Sequence, residues 1–275
     1  SLRVRHISPR CLYNLKCRNF QIYADFWVYF QVYPSFSRSM RVEQLNDEGW
    51  AKTYLLIDEN SSDVCLIDPV YDFTQRYLEL LDNRNLTLKM TIATHTHADH
   101  ITGCFSLMEK TGCDYVMWKT TACMGVSKYV DDKSSLKFVN QSISFHHVPG
   151  HTADSMIIEV GGHIFTGDFL FTGAGGVGRD DLPSGRMKDH WESLSILAKF
   201  SGDVIVHTGH EPPGTKMQTL QWNRENNPIL KMESWEQYRD WQEQSVKQLG
   251  SVSKIKVALP ANIFGEIPEI IPWLE

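Results

Sequence analysis

The chain has 275 residues, of which 42% are hydrophobic and 22% charged, a composition typical of globular proteins rather than disordered ones. Its net charge of -6 and the lack of any run of Lys or Arg exclude a nucleic-acid-binding surface, which needs a basic stripe. No stretch reaches the roughly 18 apolar residues that a membrane span requires, so no membrane partner is expected.

The cysteines are scattered along the chain without a CxxC pair, and a chain of this size folds without disulfides. We therefore expect free thiols and an intracellular, reducing location. The six cysteines are Cys11, Cys17, Cys65, Cys104, Cys113 and Cys123.

The first forty residues differ from the rest. They contain six Arg or Lys residues against the single acid Asp25, and nine aromatic residues lie between Tyr13 and Phe36. A basic, acid-poor start is compatible with an organelle transit peptide, and an extra strand over 21–32 is the alternative. We treat residues 1–40 as an N-terminal extension and residues 41–275 as one domain.

From Met40 onwards short strands alternate with helices, which predicts a layered α/β architecture. The predicted strands span 53–57, 64–67, 90–93, 115–118, 136–139, 143–148, 155–160, 163–166 and 204–207. Helical spacing of apolar residues predicts helices over 72–81, 100–110, 188–199, 217–226 and 234–249.

The strongest signal is segment 94–100, Thr-His-Thr-His-Ala-Asp-His, where a buried strand ends. Alternate side chains on extended backbone share a face, so His95, His97 and Asp99 can converge while His100 begins the next helix. Imidazole nitrogens and carboxylate oxygens packed this closely are typical of a metal site. The segment therefore predicts a metal-binding turn.

Three later loops each place one more candidate ligand directly after a strand. A glycine immediately precedes His151, Asp168 and His210, and glycine lets the backbone approach a site closely. The order of strands and loops brings these ligands to one sheet edge. The candidate metal ligands are thus His95, His97, Asp99, His100, His151, Asp168 and His210. Four other histidines are interpreted as lying outside the ligand set: His146, His147, His163 and His207.

The ordered motifs HxHxDH, PGHT, TGD and GH resemble the ligand signature of the metallo-β-lactamase superfamily, over residues 42–214. The resemblance implies an α/β fold, the αββα sandwich, with the metal site in a cleft at one edge of the two sheets. It also implies that Asp68, in Leu-Ile-Asp-Pro, is a carboxylate that supports the ligands.

Further segments resemble the persulfide dioxygenase branch, a relative of glyoxalase II: Ile-Thr-Gly at 101–103, Gly-Arg-Asp-Asp at 178–181, and Ala-Leu-Pro-Ala-Asn at 258–262. The branch implies one Fe(II) per chain and oxidation of glutathione persulfide by O2 to sulfite and glutathione. The catalytic ligands that it implies are His95, His151 and Asp168.

The glutathione-derived substrate would be held by Arg179, with Asp181 and Arg224, since a guanidinium binds carboxylates in a forked geometry. The chain departs from the branch in two places. It has Val-Gly-Arg-Asp-Asp at 177–181 for the usual Cys-Gly-Arg-Thr-Asp, and His-Glu-Pro at 210–212 for His-Asp-Tyr. The departures weaken the assignment of the substrate more than that of the fold.

The alternative is a binuclear hydrolase of glutathione thioesters with two Zn ions or a mixed Zn/Fe pair. His95, His97 and His151 would then bind one ion, Asp99, His100 and His210 the other, and Asp168 would bridge them. The sequence leaves a homodimer open, and it leaves the mitochondrion and the cytoplasm as locations.

Overall fold

The computed structural model describes residues 40–46 and 48–274. Two six-stranded sheets form its centre. The first contains, in spatial order, β1 (Met40–Gln44), β2 (Tyr54–Asp58), β3 (Asp63–Ile67), β4 (Thr87–Ile92), β5 (Asp114–Trp118) and β6 (Lys128–Val130). The second contains β7 (Ser135–Phe138), β8 (Gln141–His147), β9 (Met156–Val160), β10 (His163–Gly167), β11 (Ile205–Thr208) and β12 (Gln218–Thr219).

Helices cover the outer faces of both sheets. On the first sheet they bury a cluster that includes Leu66 and Tyr77, and on the second a cluster that includes Ile164 and Tyr238. The helices of the described residues are α1 (Thr74–Asn83), α2 (Cys104–Thr111), α3 (Met187–Ser193), α4 (Leu220–Asn226), α5 (Trp235–Leu249) and α6 (Ile255–Phe264). This is the αββα sandwich that the family resemblance implied, and it agrees with the layered α/β architecture predicted from the sequence pattern.

The core between the sheets follows from the period-two pattern of the strands. On β2, Leu56 points between the sheets while its neighbour Leu55 points to the outer helices. Phe165 of β10 meets this interior from the other sheet and packs edge-on against Tyr54, with ring centroids 5.3 Å apart. Truncating such a buried aromatic side chain costs about 3–5 kcal/mol, so these positions fix the alignment of the sheets.

Most predicted elements are confirmed within a few residues, and three are shifted. The helix predicted from His100 begins at Cys104, because the preceding turn bonds to other segments. The helix predicted over 217–226 begins at Leu220, since residues 218–219 pair with β11 first. The helix predicted over 188–199 is α-helical only to Ser193 and continues as a 3-10 helix.

Strands β1, β6 and β12 and helix α6 were not predicted. Of the predicted N-terminal extension, residues 1–39 lie outside the described residues, and Met40 begins β1. The extension, its alternative strand over 21–32 and the division of the chain at residue 40 therefore stay predictions.

The cysteines in the described part of the chain are free and buried, as expected: Cys65, Cys104, Cys113 and Cys123. Burial raises the pKa of each thiol, so these side chains stay protonated and belong to the core. None of the described helices has the length and apolar character needed to cross a membrane.

Candidate metal centre

The candidate ligands lie where strands of both sheets end at a common edge. His95 follows β4, His151 follows β8, Asp168 follows β10 and His210 follows β11. The Met156 amide donates to the Thr94 carbonyl at 2.9 Å, which links the two sheets at this edge. The fold thus brings together ligands that are far apart in the chain.

His95, His151 and Asp168 form the first ligand group. Each offers one ligand atom, and the three atoms lie within 4.8 Å of one another among buried side chains. His95 Nε2 is buried and has no hydrogen-bond partner within the described residues. A buried, unpaired nitrogen is costly, and a bound cation would satisfy its lone pair. The residues of this group therefore fit a metal ion.

His97, Asp99 and His100 form the second ligand group, which has the same 4.8 Å spread. His97 Nδ1 and His100 Nε2 are also buried without partners in the described parts of the chain. His100 Nδ1 pairs with Asp99 Oδ2 at 3.0 Å. The metal-binding turn therefore carries a second group of side chains that could bind a cation.

His210 lies between the two groups. Its Nδ1 is 2.7 Å from Asp168 Oδ1, and its Nε2 is 2.8 Å from Asp99 Oδ2. Burial opposes protonation of His210, but the two carboxylates outweigh it and hold its pKa well above the ordinary value. His210 is therefore a charged link between the carboxylates in this arrangement.

The first ligand group has the protonation states that metals bind. Burial lowers the pKa of His95 and of His151, so both imidazoles are neutral. Burial raises the pKa of Asp168, but His210 and His151 lower it more, and the carboxylate is ionised. Neutral imidazole and ionised carboxylate bind a cation without first releasing a proton.

The Asp68 carboxylate is bonded to residues of the metal-binding turn, which agrees with the supporting role that the family resemblance implied. Asp68 has a φ of 49°, and its carboxylate accepts hydrogen bonds from the Thr94 amide at 2.7 Å and the Thr94 hydroxyl at 2.8 Å. His97 Nε2 donates to the same carboxylate at 3.2 Å. This contact leaves the lone pair of His97 on Nδ1, the atom of the second ligand group.

His151 is oriented in a similar way. Its Nδ1 donates to the Arg179 carbonyl at 2.5 Å, which leaves Nε2 for the site, 3.5 Å from Asp168 Oδ2. Gly150 packs directly on the backbone of His190, so any side chain at this position would collide with that helix. The glycine before the ligand is required by this close approach.

A cavity of about 430 Å³ opens onto the centre. Candidate ligands are among its lining residues, and apolar side chains form most of its walls. The ligands are Asp99, His151, Asp168 and His210, and the apolar residues are Trp50, Ala98, Phe171, Val177, Leu182, Pro212, Leu249 and Val252. The cavity has the size and lining of a small-molecule site.

Of the three predicted substrate-binding residues, Arg179 lines the cavity and Asp181 is bonded to it, while Arg224 lies elsewhere. Arg179 lines the cavity and donates to both oxygens of Asp181, at 2.6 and 2.7 Å, and to the Gly250 carbonyl at 2.8 Å. Arg224 instead donates to the carbonyls of Leu197 and Phe200, away from the cavity lining. Tertiary contacts thus turn Arg224 to the end of a neighbouring helix, and its role in substrate binding stays a prediction without support from this geometry.

Two residues of this region were missed. Glu211 lines the cavity, is 4% exposed and accepts hydrogen bonds from the Thr172 amide and the Thr208 hydroxyl. Asn262 of α6 binds the backbone of the metal-binding turn. The only sequence signals were their places in His-Glu-Pro and Ala-Leu-Pro-Ala-Asn, and neither signal indicates a contact.

Comparisons with known proteins agree with this geometry. The family model of the metallo-beta-lactamase superfamily matches residues 49–210, more than half of the chain. Human mitochondrial persulfide dioxygenase ETHE1 is 30% identical over 220 residues, covering 77% of this chain and 82% of that protein. Hydroxyacylglutathione hydrolase of Chromohalobacter salexigens is 29% identical over 178 residues, covering 64% and 68%.

Among solved structures, ETHE1 from Myxococcus xanthus superposes with a TM-score of 0.76 at 29% identity, covering 82% of this chain and all of that one. The relatives include enzymes of two kinds, a dioxygenase and a hydrolase, and the ligand groups of this chain indicate a metal cofactor. On its fold, its ligand motifs and these matches, the chain belongs to the metallo-beta-lactamase superfamily.

Proposed function

We propose that this chain is an iron-dependent persulfide dioxygenase, which oxidises glutathione persulfide with O2 to sulfite and glutathione. The grouping of His95, His151 and Asp168 carries the proposal. Two histidines and one carboxylate with open positions are typical of non-haem Fe(II) oxygenases. The likeness to the persulfide dioxygenases supports the same choice.

Fe(II) bound by this group would supply the redox chemistry between O2 and the terminal sulfur. The reaction balances as one persulfide, one O2 and one water giving one thiol and one molecule of sulfurous acid. The surroundings lower the pKa of Asp168 and of His95, so the carboxylate is ionised and the imidazole is neutral, as binding of Fe(II) requires. The apolar walls of the cavity limit the access of bulk water to the sulfur.

Arg179 is the candidate for substrate binding. Asp181 and the Gly250 carbonyl engage three of its N–H groups and fix the plane of the guanidinium. The two remaining N–H groups have no partner in the part of the chain that the structure describes, and we propose that they receive a carboxylate of glutathione. In this proposal Asp181 orients Arg179 and makes no contact with the substrate itself.

A binuclear thioester hydrolase is the second candidate. The second ligand group favours it, since His97, Asp99 and His100 offer three further donors. The likeness to the persulfide dioxygenases, which covers more of this chain, favours the dioxygenase. The mitochondrial relatives favour a mitochondrial location, with the cytoplasm as the alternative.

The experiment is to purify the protein anaerobically and count metal ions per chain. O2 uptake with glutathione persulfide and hydrolysis of S-lactoylglutathione are measured on the same preparation. The proposal predicts one iron per chain and persulfide-dependent O2 uptake. Two metal ions per chain, no O2 uptake and thioester hydrolysis would contradict it and establish the hydrolase.

A further inference from the structure

We infer that Asn262 is a positioning residue for the metal-binding turn. The turn proper is residues 94–100, and the connection to α2 extends it to residue 103. Asn262 lies on α6, is 4% exposed and stands 165 positions after His97 in the chain. Its hydrogen bonds go to main-chain groups of the turn rather than to ligand side chains. It would therefore act on the metal through the conformation of the ligands.

One side-chain amide binds three main-chain groups. Asn262 Nδ2 donates to the carbonyls of His97 and His100, both at 2.9 Å. Its Oδ1 accepts the amide of Thr102 at 2.8 Å. Both N–H groups and the oxygen of the side chain are thus used within one turn.

Asn262 supplies part of the hydrogen bonding in the middle of the turn. There the Thr96 amide also bonds Asp154, and the Ile101 carbonyl accepts from the Tyr71 amide. The ends of the turn are bonded elsewhere: the Met156 amide binds the Thr94 carbonyl, and the Gly103 amide binds the Pro69 carbonyl. The carbonyls of His97 and His100 have no other hydrogen bond among the described residues. Because the turn is neither helix nor strand, these buried groups need a partner from outside it.

The helix that carries Asn262 is itself anchored against the turn. Ala258 and Ala261 pack with Ile101 in one buried cluster. The Met124 amide donates to the Ile263 carbonyl at 2.7 Å. Asn262 is therefore held from both sides and can fix the peptide groups that it binds.

The two bonded carbonyls belong to ligand residues of the second group, and Asp99 lies between them. A rotation of either peptide group would swing the attached side chains away from the positions at which the donors converge. Residues that hold ligands in this way typically change metal affinity 10- to 100-fold when they are replaced. The same turn carries His95 of the first ligand group, so a change in its conformation also moves a donor of the single iron, and the inference does not rest on the proposed function.

Cobalt binding to the full chain tests the inference, because the visible absorption of Co(II) reports ligand geometry. Affinity is measured by competition with a chelator for the wild type, Asn262→Ala and Asn262→Asp. Asn223→Ala is the matched control: Asn223 is also buried, and it bonds the Gly173 amide at 2.9 Å and the Thr219 carbonyl at 3.1 Å. Thermal unfolding of the metal-free proteins measures the general loss of stability.

Both Asn262 variants are expected to bind Co(II) about 10- to 100-fold more weakly, with a changed absorption spectrum. Asn223→Ala is expected to lose stability but to keep the wild-type affinity and spectrum. Asn262→Asp keeps the volume and the acceptor for Thr102, so it decides the question if Asn262→Ala does not fold. Wild-type Co(II) affinity and spectrum in the Asn262 variants would overturn the inference. Since neither O2 nor persulfide enters the assay, failure here is separate from failure of the proposed function.

Discussion

Two sets of buried histidines differ in what surrounds them. His95 and His151 at the metal centre are 1% and 4% exposed, and His190 and His207 in the second half of the molecule are 0% and 7% exposed. Each set contains ring nitrogens without partners in the described residues, such as His95 Nε2 and His207 Nδ1. Burial alone therefore does not distinguish a metal ligand from a core residue.

The neighbours make the difference. His190 donates to the Phe169 carbonyl, and His207 pairs with His163 at 2.9 Å and stacks on Phe165. No carboxylate is bonded to either ring in the described part of the chain. At the metal centre, by contrast, neutral imidazoles converge with ionised carboxylates, and this convergence makes a cation site.

Removing one imidazole from each set gives the largest expected contrast. His151→Ala is expected to abolish activity and to remove the metal from the first ligand group, because one of its three donors is gone. His207→Ala is expected to lose stability and keep the metal. Elemental analysis and O2 uptake of both variants measure this, and equal loss of metal from both would break the distinction.

The pH dependence of stability sharpens the same contrast. Burial, with His163 adding to it, lowers the pKa of His207 to about 3 from 6.5. Between pH 6.5 and about 3, His207 is protonated in the unfolded chain and neutral in the folded chain. The contribution of neutral His207 to the free energy of unfolding is therefore complete above pH 6.5 and is lost as the pH falls towards 3. The expected loss is about 1.4 kcal/mol for each pH unit.

His207→Phe removes this titration and keeps a ring on Phe165. The free energy of unfolding of chelator-treated protein, measured between pH 7 and pH 4, should fall less steeply for the variant than for the wild type. Parallel curves would mean that His207 is protonated in the folded state.

A substitution at Asp68 tests whether the carboxylate bonded to the metal-binding turn is needed for metal binding. Asp68→Asn keeps the shape and the φ of 49° but removes the charge that His97 and Thr94 face. We expect metal affinity about 10- to 100-fold lower, measured by competition with a chelator. The control is Asp131→Asn, because this partly exposed carboxylate pairs with Lys119 and bonds none of the candidate ligands. It should bind the metal with wild-type affinity. Equal affinities for all three proteins would contradict the supporting role.

The smallest expected effect separates the two arginines. Arg179→Ala should raise the KM for glutathione persulfide at least about tenfold, because the two N–H groups proposed to bind the substrate carboxylate are lost. Arg224→Ala should leave KM unchanged, because its guanidinium is bonded to carbonyls away from the cavity. An unchanged KM in Arg179→Ala would remove Arg179 from the substrate site.

The ligand positions could be predicted from sequence because each depends on a local pattern. A buried strand ends just before His95, and a glycine precedes His151, Asp168 and His210. Sheet geometry then brings strand ends to one edge without further information. The αββα sandwich followed from the same alternation of elements and from the family resemblance.

The remaining features depend on contacts between distant segments. Helix α6 has a proline inside an apolar run, a pattern that gives no clear helical signal, and Asn262 meets its partners 160 or more positions away. The sequence predicts Arg224 as a substrate-binding residue, but in the structure its guanidinium donates to the Leu197 carbonyl of a distant segment. The late start of α2 at Cys104 has the same origin, since the turn before it is bonded to α6.

The most direct test of the central claim is to locate the metal in crystals of the iron-loaded protein by anomalous diffraction at the iron edge. The account predicts a single iron peak among His95, His151 and Asp168. A pair of peaks, or one peak among His97, Asp99 and His100, would contradict it.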